Sequence, residues 1–178
     1  MTIAELETTF GDITANLLNI TTPGMIRVDW PTQGQPGFNV EDDVIFIKVV
    51  PVDDDYNRVR DMAWAPTDST GVTLAETYSY TRVIGVTWVC YGPNSNANAQ
   101  VLRNKIFYED ATDLLDSYGL YLVTDIAEPQ RAPEEFNNLW WERTDLALKF
   151  NYLEQDIANQ KSIASVPLNI NGNDYTIE

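Results

Sequence analysis

The chain has 178 residues, 44% of them apolar, and a formal net charge of −16 from 27 acidic and 11 basic side chains, with one cysteine and no histidine. This is enough apolar material for the core of one ordinary domain, and the charge leaves no basic footprint for gripping nucleic acid. The lone Cys90 excludes an intrachain disulfide framework or a multi-cysteine zinc site, and the missing histidine removes triad chemistry of the ordinary kind.

The first residues are acidic and amphipathic rather than a basic-plus-apolar leader, and no apolar run reaches the ~18–20 residues that span a bilayer. The expectation is a soluble protein in a reducing compartment. Residues 2–18 read as a helix. Thr2 and Glu5 have capping-box spacing, and Ile3, Leu6, Phe10, Ile13 and Leu17 make one apolar stripe. Thr22-Pro23-Gly24 is a turn, and Met25 to Trp30 alternates as a strand. Pro31 to Asp43 is a loop, rich in glycine and proline and then acidic. Val44 to Val52 is almost wholly apolar and reads as a buried strand.

Residues 53–71 are polar and irregular, and Val72 to Tyr91 then alternates for a long way. A strand of that length spans about 65 Å, more than a globular sheet needs. Residues 53–80 are therefore expected to form a hairpin projecting from the body. Gly92-Pro93-Asn94-Ser95 is a turn into a helix over about 97–118, stopped by Gly119. Leu120 to Ile126 reads as a strand, 127–136 as a loop, 139–154 as a half-buried strand and 155–163 as a polar linker. A strand over 165–170, an Asn171-Gly172 turn and residues 174–178 close the chain. The order predicts an α+β fold: a mainly antiparallel sheet packed by two helices, with a long projecting hairpin and an extended C-terminal tail. The expected division is a domain over 1–155 and a linker with a strand-like tail over 156–178.

The candidate chemistry is thin. Glu41-Asp42-Asp43 and Asp53-Asp54-Asp55 have the oxygen ligands of a Ca²⁺ or Mg²⁺ site but not the spacing, and read as solvated acidic loops. Glu142 with Asp145, or Glu134 with Glu135, lack the convergence of a catalytic pair, and Cys90 sits in an apolar alternation without a basic partner. No phosphate-binding glycine loop occurs. No catalytic residue, metal or cofactor is expected. The tryptophans remain. Trp140 and Trp141 face opposite ways if both lie in one strand, and Trp30 and Trp64 also stand beside loops. Large aromatics are enriched at protein interfaces, although a core with a wet rim accounts for them equally well.

Trp88-Val-Cys-Tyr-Gly-Pro-Asn-Ser95 followed by Ala97-Asn-Ala-Gln-Val-Leu-Arg103 resembles the strand-turn-helix core of phage neck or tail terminator (tail completion) proteins. Pro129-Gln-Arg-Ala-Pro133, with Trp141-Glu-Arg143 and Asp145-Leu-Ala-Leu-Lys-Phe150, is similar to the closing strand of the same family. The likeness covers roughly residues 84–152. It implies a non-catalytic virion protein, made in the host bacterial cytoplasm, that forms a homo-oligomeric ring, typically a hexamer, at the head–tail junction. Such a ring caps the tail tube, meets the connector and the tail-tube or sheath proteins, and passes DNA without binding it specifically or touching a membrane. Unlike patches are needed to close a ring. The residues expected to supply them are Trp30, Trp64, Tyr78, Tyr80, Trp140, Trp141, Arg143, Ile170 and Tyr175. The competing readings are another head–tail connector or tail-tube protein, a carboxylate-based metal-binding module or enzyme, and a binding domain for a host protein.

Overall fold

The computed structural model describes residues 1–29, 37–67, 69 and 73–161 in full, and the backbone of 166–170 and 173–177. Helix α1 spans Ile3–Leu18. Both halves of the expected capping box form, with the Thr2 side chain accepting from the Glu5 amide and the Glu5 carboxylate accepting from the Thr2 amide. The last turn of α1 has no basic side chain of its own. Lys105 supplies one, its Nζ donating to the Leu17 carbonyl at 2.6 Å.

Strand β1 (Ile26–Val28) runs parallel to β2 (Val44–Pro51). β2 pairs antiparallel with β4 (Thr73–Tyr91), and β4 with β9 (Arg143–Lys161). Two short strands, β5 (Leu120–Leu122) and β6 (Gln130–Arg131), pair with β9, and β3 (Asp61–Pro66) pairs with β4. Among the described residues these seven strands form one sheet, antiparallel except at β1. The architecture is the expected α+β.

One face of the sheet carries the core. Leu6, Phe10, Ile13 and Leu17 of α1 pack on Ile45, Ile47 and Val49 of β2, and on Ile84, Val86, Trp88 and Cys90 of β4. Leu146, Leu148 and Phe150 of β9 continue the layer, and α2 (Ser95–Lys105) and α3 (Glu109–Ser117) close it with Ala99, Leu102, Ala111 and Leu115. The single helix expected over 97–118 is thus two. Tyr108 is extended and caps α3, whose first turn holds Glu109 and Asp110, the charge sign that favours a helix start. The apolar stripe passes across the break because Ile106 and Ala111 are both buried, which hides it from periodicity.

Two further expectations are corrected. Residues 155–161 are not a linker: β9 continues through them, paired with Thr73 to Ser79 of β4. Likewise 134–141 is not a loop followed by the start of one long strand. It is a separate hairpin, β7 (Glu134–Phe136) with β8 (Leu139–Trp141), turned by Asn137 and Asn138 at φ of 53° and 59°. Two positive φ values are what a tight two-residue hairpin turn demands, and asparagine tolerates them. The C-terminal segment forms its own hairpin of β10 (Val166–Ile170) and β11 (Asn173–Ile177). The expected Asn171-Gly172 turn lies outside the described residues.

The turn from β4 into α2 is held by the start of β2. Asp43 accepts from the Asn94 amide at 2.9 Å and from its side-chain amide at 2.7 Å. Gly92 sits there at φ +100°, where an added Cβ would lie 2.5 Å from the Asp42 carbonyl oxygen. Gly92→Ala is expected to cost more than about 2 kcal/mol, from left-handed strain plus a backbone clash. Chemical denaturation measures it, and a loss below half that value would contradict the close approach.

Candidate assembly interface

The paired strands β4 and β9 are each 19 residues long, about twice what the helices cover. Their outer halves, with β3 added alongside, form a three-stranded arm. β3 is exposed along its whole length, and β9 is exposed from Gln155 to Lys161. The arm is therefore the expected projecting hairpin with a third strand that the polar sequence of 155–161 concealed.

Register decides what the arm presents. Met62 lies opposite Tyr78, and Trp64 opposite Glu76. These positions continue the face that is core in the body, because Ile84, Val86 and Trp88 have the same parity on β4. No helix covers that face on the arm among the described residues: Met62 and Trp64 stay 56% and 49% exposed, while Glu76 between the larger side chains is buried. Tyr78 donates to Glu76 Oε1 at 2.6 Å, and the Arg60 guanidinium lies 3.7 Å from the centre of the Tyr80 ring. Leu153 and Ile157 occupy the opposite face, each exposed, facing Thr81 and Thr77 of β4.

The root of the arm is fixed. The N-terminal ammonium donates to the Tyr152 hydroxyl at 2.6 Å, and Arg82 meets Glu154 at 3.3 Å. The Asn57 side chain bridges strands by donating to the Val52 carbonyl and accepting from the Val83 amide. The arm's face is therefore held in a set orientation to the body.

A second surface lies on the sheet face away from the helices. Phe38, Phe46, Tyr91, Phe136 and Trp141 line a cleft of about 840 Å³ together with Arg27, Lys48 and Arg143. The rings form an edge-to-face cluster, with the Phe38 centroid 5.2 Å from that of Trp141 and 5.7 Å from those of Phe46 and Tyr91. Arg143 is gripped in a fork by Asp145, both contacts at 2.8 Å, and also meets Glu134 at 3.1 Å. These bonds raise its pKa above the ordinary guanidinium value.

The sequence-derived interface residues thus divide. Trp64, Tyr78 and Tyr80 come together on the arm, while Trp141 and Arg143 belong to the cleft, bound to their own chain. Trp140 is two-thirds exposed and alternates with Trp141 on β8, so the two rings face opposite sides of that strand. Trp30 lies outside the described residues. Ile170 and Tyr175 are placed by backbone alone, in β10 and β11. Met62, Leu153 and Ile157 escaped sequence reading, although Met62 and Trp64 share parity in one six-residue strand.

The acidic runs are occupied locally. Asp53 and Asp55 both meet Arg58 at 3.3 Å, and Asp54 accepts from the Tyr56 amide. Asp42 accepts from the Asn39 amide and Glu142 meets Arg131. Among the described residues no group of three or more His, Cys, Asp or Glu side chains converges as a metal site would, and no helix is long and apolar enough to cross a membrane.

Cys90 and Tyr91 end β4 on opposite faces. Burial pushes the Cys90 thiol up to about 12, and burial, then the hydrogen bond to Glu134, pushes the Tyr91 phenol up to about 12. Both hold their protons more tightly when folded than unfolded. Their stabilising contribution is complete below the ordinary values of 9.0 and 10.0 and is lost as pH rises towards about 12. The thermal midpoint should therefore fall across that alkaline window, and Tyr91→Phe should blunt the upper part of the fall.

The α+β body thus carries an arm with exposed apolar side chains. A family model described as phage neck terminator protein matches residues 4–174, nearly the whole chain, so the chain belongs to that family. It is a structural, non-enzymatic family of the phage neck, which makes this protein a virion component that contacts other head–tail proteins. A search of curated proteins found no match.

Proposed function

We propose that copies of this chain close into a ring, six-fold by family resemblance, at the junction of head and tail. The ring caps the tail tube, joins it to the connector and meets tail-tube or sheath proteins, while DNA passes through its channel. The observation that carries the reading is the arm: a rigid-rooted ribbon whose Met62, Trp64 and Tyr78 are exposed on the face that is core in the body. A heterologous ring needs two unlike patches on each subunit. The arm supplies one, the aromatic cleft around Trp141 and Arg143 supplies a second, and Trp140 adds a contact of its own. Trp30, Tyr80, Ile170 and Tyr175 complete the contact set. Residues 1–155 make the wall and 156–178 reach towards a neighbour, with β9 carrying one into the other. A net charge of −16 suits a channel that must not hold DNA. Assembly follows synthesis in the host cytoplasm.

Light scattering on the chain, alone and then with the phage's tail-tube protein, tests the reading. A single closed oligomer, free or on the tube, supports it. A monomer that ignores the tube overturns it. Rings that stack into long tubes in electron micrographs would make it a tube protein instead.

A further inference from the structure

We infer that the C-terminal hairpin docks by strand addition, through β11, onto the outer edge of β9 in the arm of a second copy of this chain. The inference rests on the ring reading and specifies one contact within it.

The acceptor is an unfinished sheet edge. β9 pairs with β4 through nineteen consecutive positions without a bulge, from Thr73 opposite Lys161 to Tyr91 opposite Arg143. On its other side β5 covers only Tyr152 to Phe150, and β6 only Asp145 and Thr144. Among the described residues no strand pairs with the outer edge of 153–161. Soluble proteins blunt long open edges with proline, bulges, charged side chains or covering segments; residues 153–161 contain no proline or glycine and carry three charges, Glu154, Asp156 and Lys161. The arm's other edge, β3, is shorter and ends in Pro66. Leu153 and Ile157 add an exposed apolar row beside the open edge of β9.

The donor is an unfinished sheet. Among the described residues β10 and β11 pair only with each other, five positions long, and an isolated two-stranded hairpin is marginal in water without a third strand. Pro167 lies within β10. Proline has no N–H and is confined to edge strands, so a third strand joins at β11. The register sets positions 166, 168 and 170 opposite 177, 175 and 173. This gathers Val166, Leu168, Ile170, Tyr175 and Ile177 at positions of one parity, the counterpart of the Leu153 and Ile157 row.

The same proline argues that the acceptor belongs to another copy. Folding back in one chain would most simply lay β10 beside β9, which makes β10 a central strand and buries Pro167 in the ladder. Placing β11 beside its own β9 makes the two parallel. Parallel neighbours need a crossover of about a dozen residues or more, and only 162–172 separate these strands, β10 included. A neighbour's β9 imposes neither constraint. Strand addition also supplies affinity through main-chain hydrogen bonds and leaves specificity to alternate side chains.

Disulfide trapping between two full-length variants tests this. One variant has Gln155→Cys, Ile157→Cys or Asn159→Cys, and the other has Tyr175→Cys and a size tag. They are mixed and oxidised with copper–phenanthroline. Cys90 is buried and its thiol is held protonated, so it stays silent. Any disulfide in the mixture joins two copies. The expected result is about tenfold more covalent heterodimer with at least one β9 variant than with Ala63→Cys on β3, the margin of one specific contact. The Ile157→Cys/Tyr175→Cys double variant should give a ladder of covalent oligomers. Trapping only through Ala63→Cys, or a disulfide closing within one chain of the double variant, overturns the inference. So does a closed ring by light scattering with no trapping at any β9 position, which leaves the ring reading standing. A chain that stays monomeric with and without the tube protein overturns both.

Discussion

Trp88→Ala is expected to remove about 4 kcal/mol of folding stability, the cost of truncating a large buried aromatic. Trp88 is 1% exposed and lies at the centre of the core. Its ring meets Phe10 of α1 at 6.0 Å and Phe150 of β9 at 6.4 Å, and those two rings meet each other at 4.8 Å. One side chain therefore joins three elements distant in sequence. Its indole N–H donates to Thr14 Oγ1 at 2.7 Å, and that hydroxyl donates to the Phe10 carbonyl at 2.6 Å. Both polar groups are thus satisfied inside the core. Two further variants separate packing from hydrogen bonding. Thr14→Val keeps the volume but strands the indole N–H, a penalty of about 1–3 kcal/mol. Trp88→Phe keeps part of the packing and should fall between Thr14→Val and Trp88→Ala. Denaturant midpoints at neutral pH give all three. A Trp88→Ala loss of about 1 kcal/mol or less would mean that the site collapses around the gap.

The core was legible because its signals are local. The α1 stripe and capping box, and the alternation of Ile84, Val86, Trp88 and Cys90, each name a face without reference to the rest of the chain. The arm was legible in half. An alternating run longer than any globular sheet needs has to leave the body, which predicts the projection. Its third strand was hidden because Glu154 to Lys161 is polar, and a strand exposed on both faces has no hydrophobic period to betray it. The α2–α3 break was hidden for the opposite reason, since burial continues through it. The β7–β8 hairpin did leave a signal, the Asn137-Asn138 pair, but the apolar run Leu139-Trp140-Trp141 reads equally well as the start of β9. For the candidate interface, sequence marked aromatic side chains and could not tell which are exposed and which are already engaged at home. Trp141 and Arg143 show why: their partners Phe38, Tyr91 and Glu134 come from three separate segments.

That division decides which tryptophan tests assembly. Trp141→Ala would open the aromatic cluster and confound folding with association, whereas Trp64 is half exposed on an edge strand. Trp64→Ala should cost the monomer about 1–2 kcal/mol, from the half of the ring that packs on the arm, and leave it folded. If the arm's apolar face is an intersubunit contact, Trp64 is its largest anchor, and truncating such an anchor costs about 2–4 kcal/mol at each interface. Every 1.4 kcal/mol is tenfold in affinity, so each contact weakens by roughly 30- to 1000-fold. A closed ring repeats the defect at every interface, and its assembly threshold should move to a much higher protein concentration. Light scattering over a dilution series reads the shift, with thermal unfolding alongside to show the monomer intact. Tyr108→Ala is the matched control, since Tyr108 is also an exposed aromatic but stands at the start of α3 rather than on the arm. Assembly lost in Trp64→Ala and kept in Tyr108→Ala places the contact on the arm. The reverse pattern would move the contact to the α2–α3 corner and leave the arm to face a different neck protein.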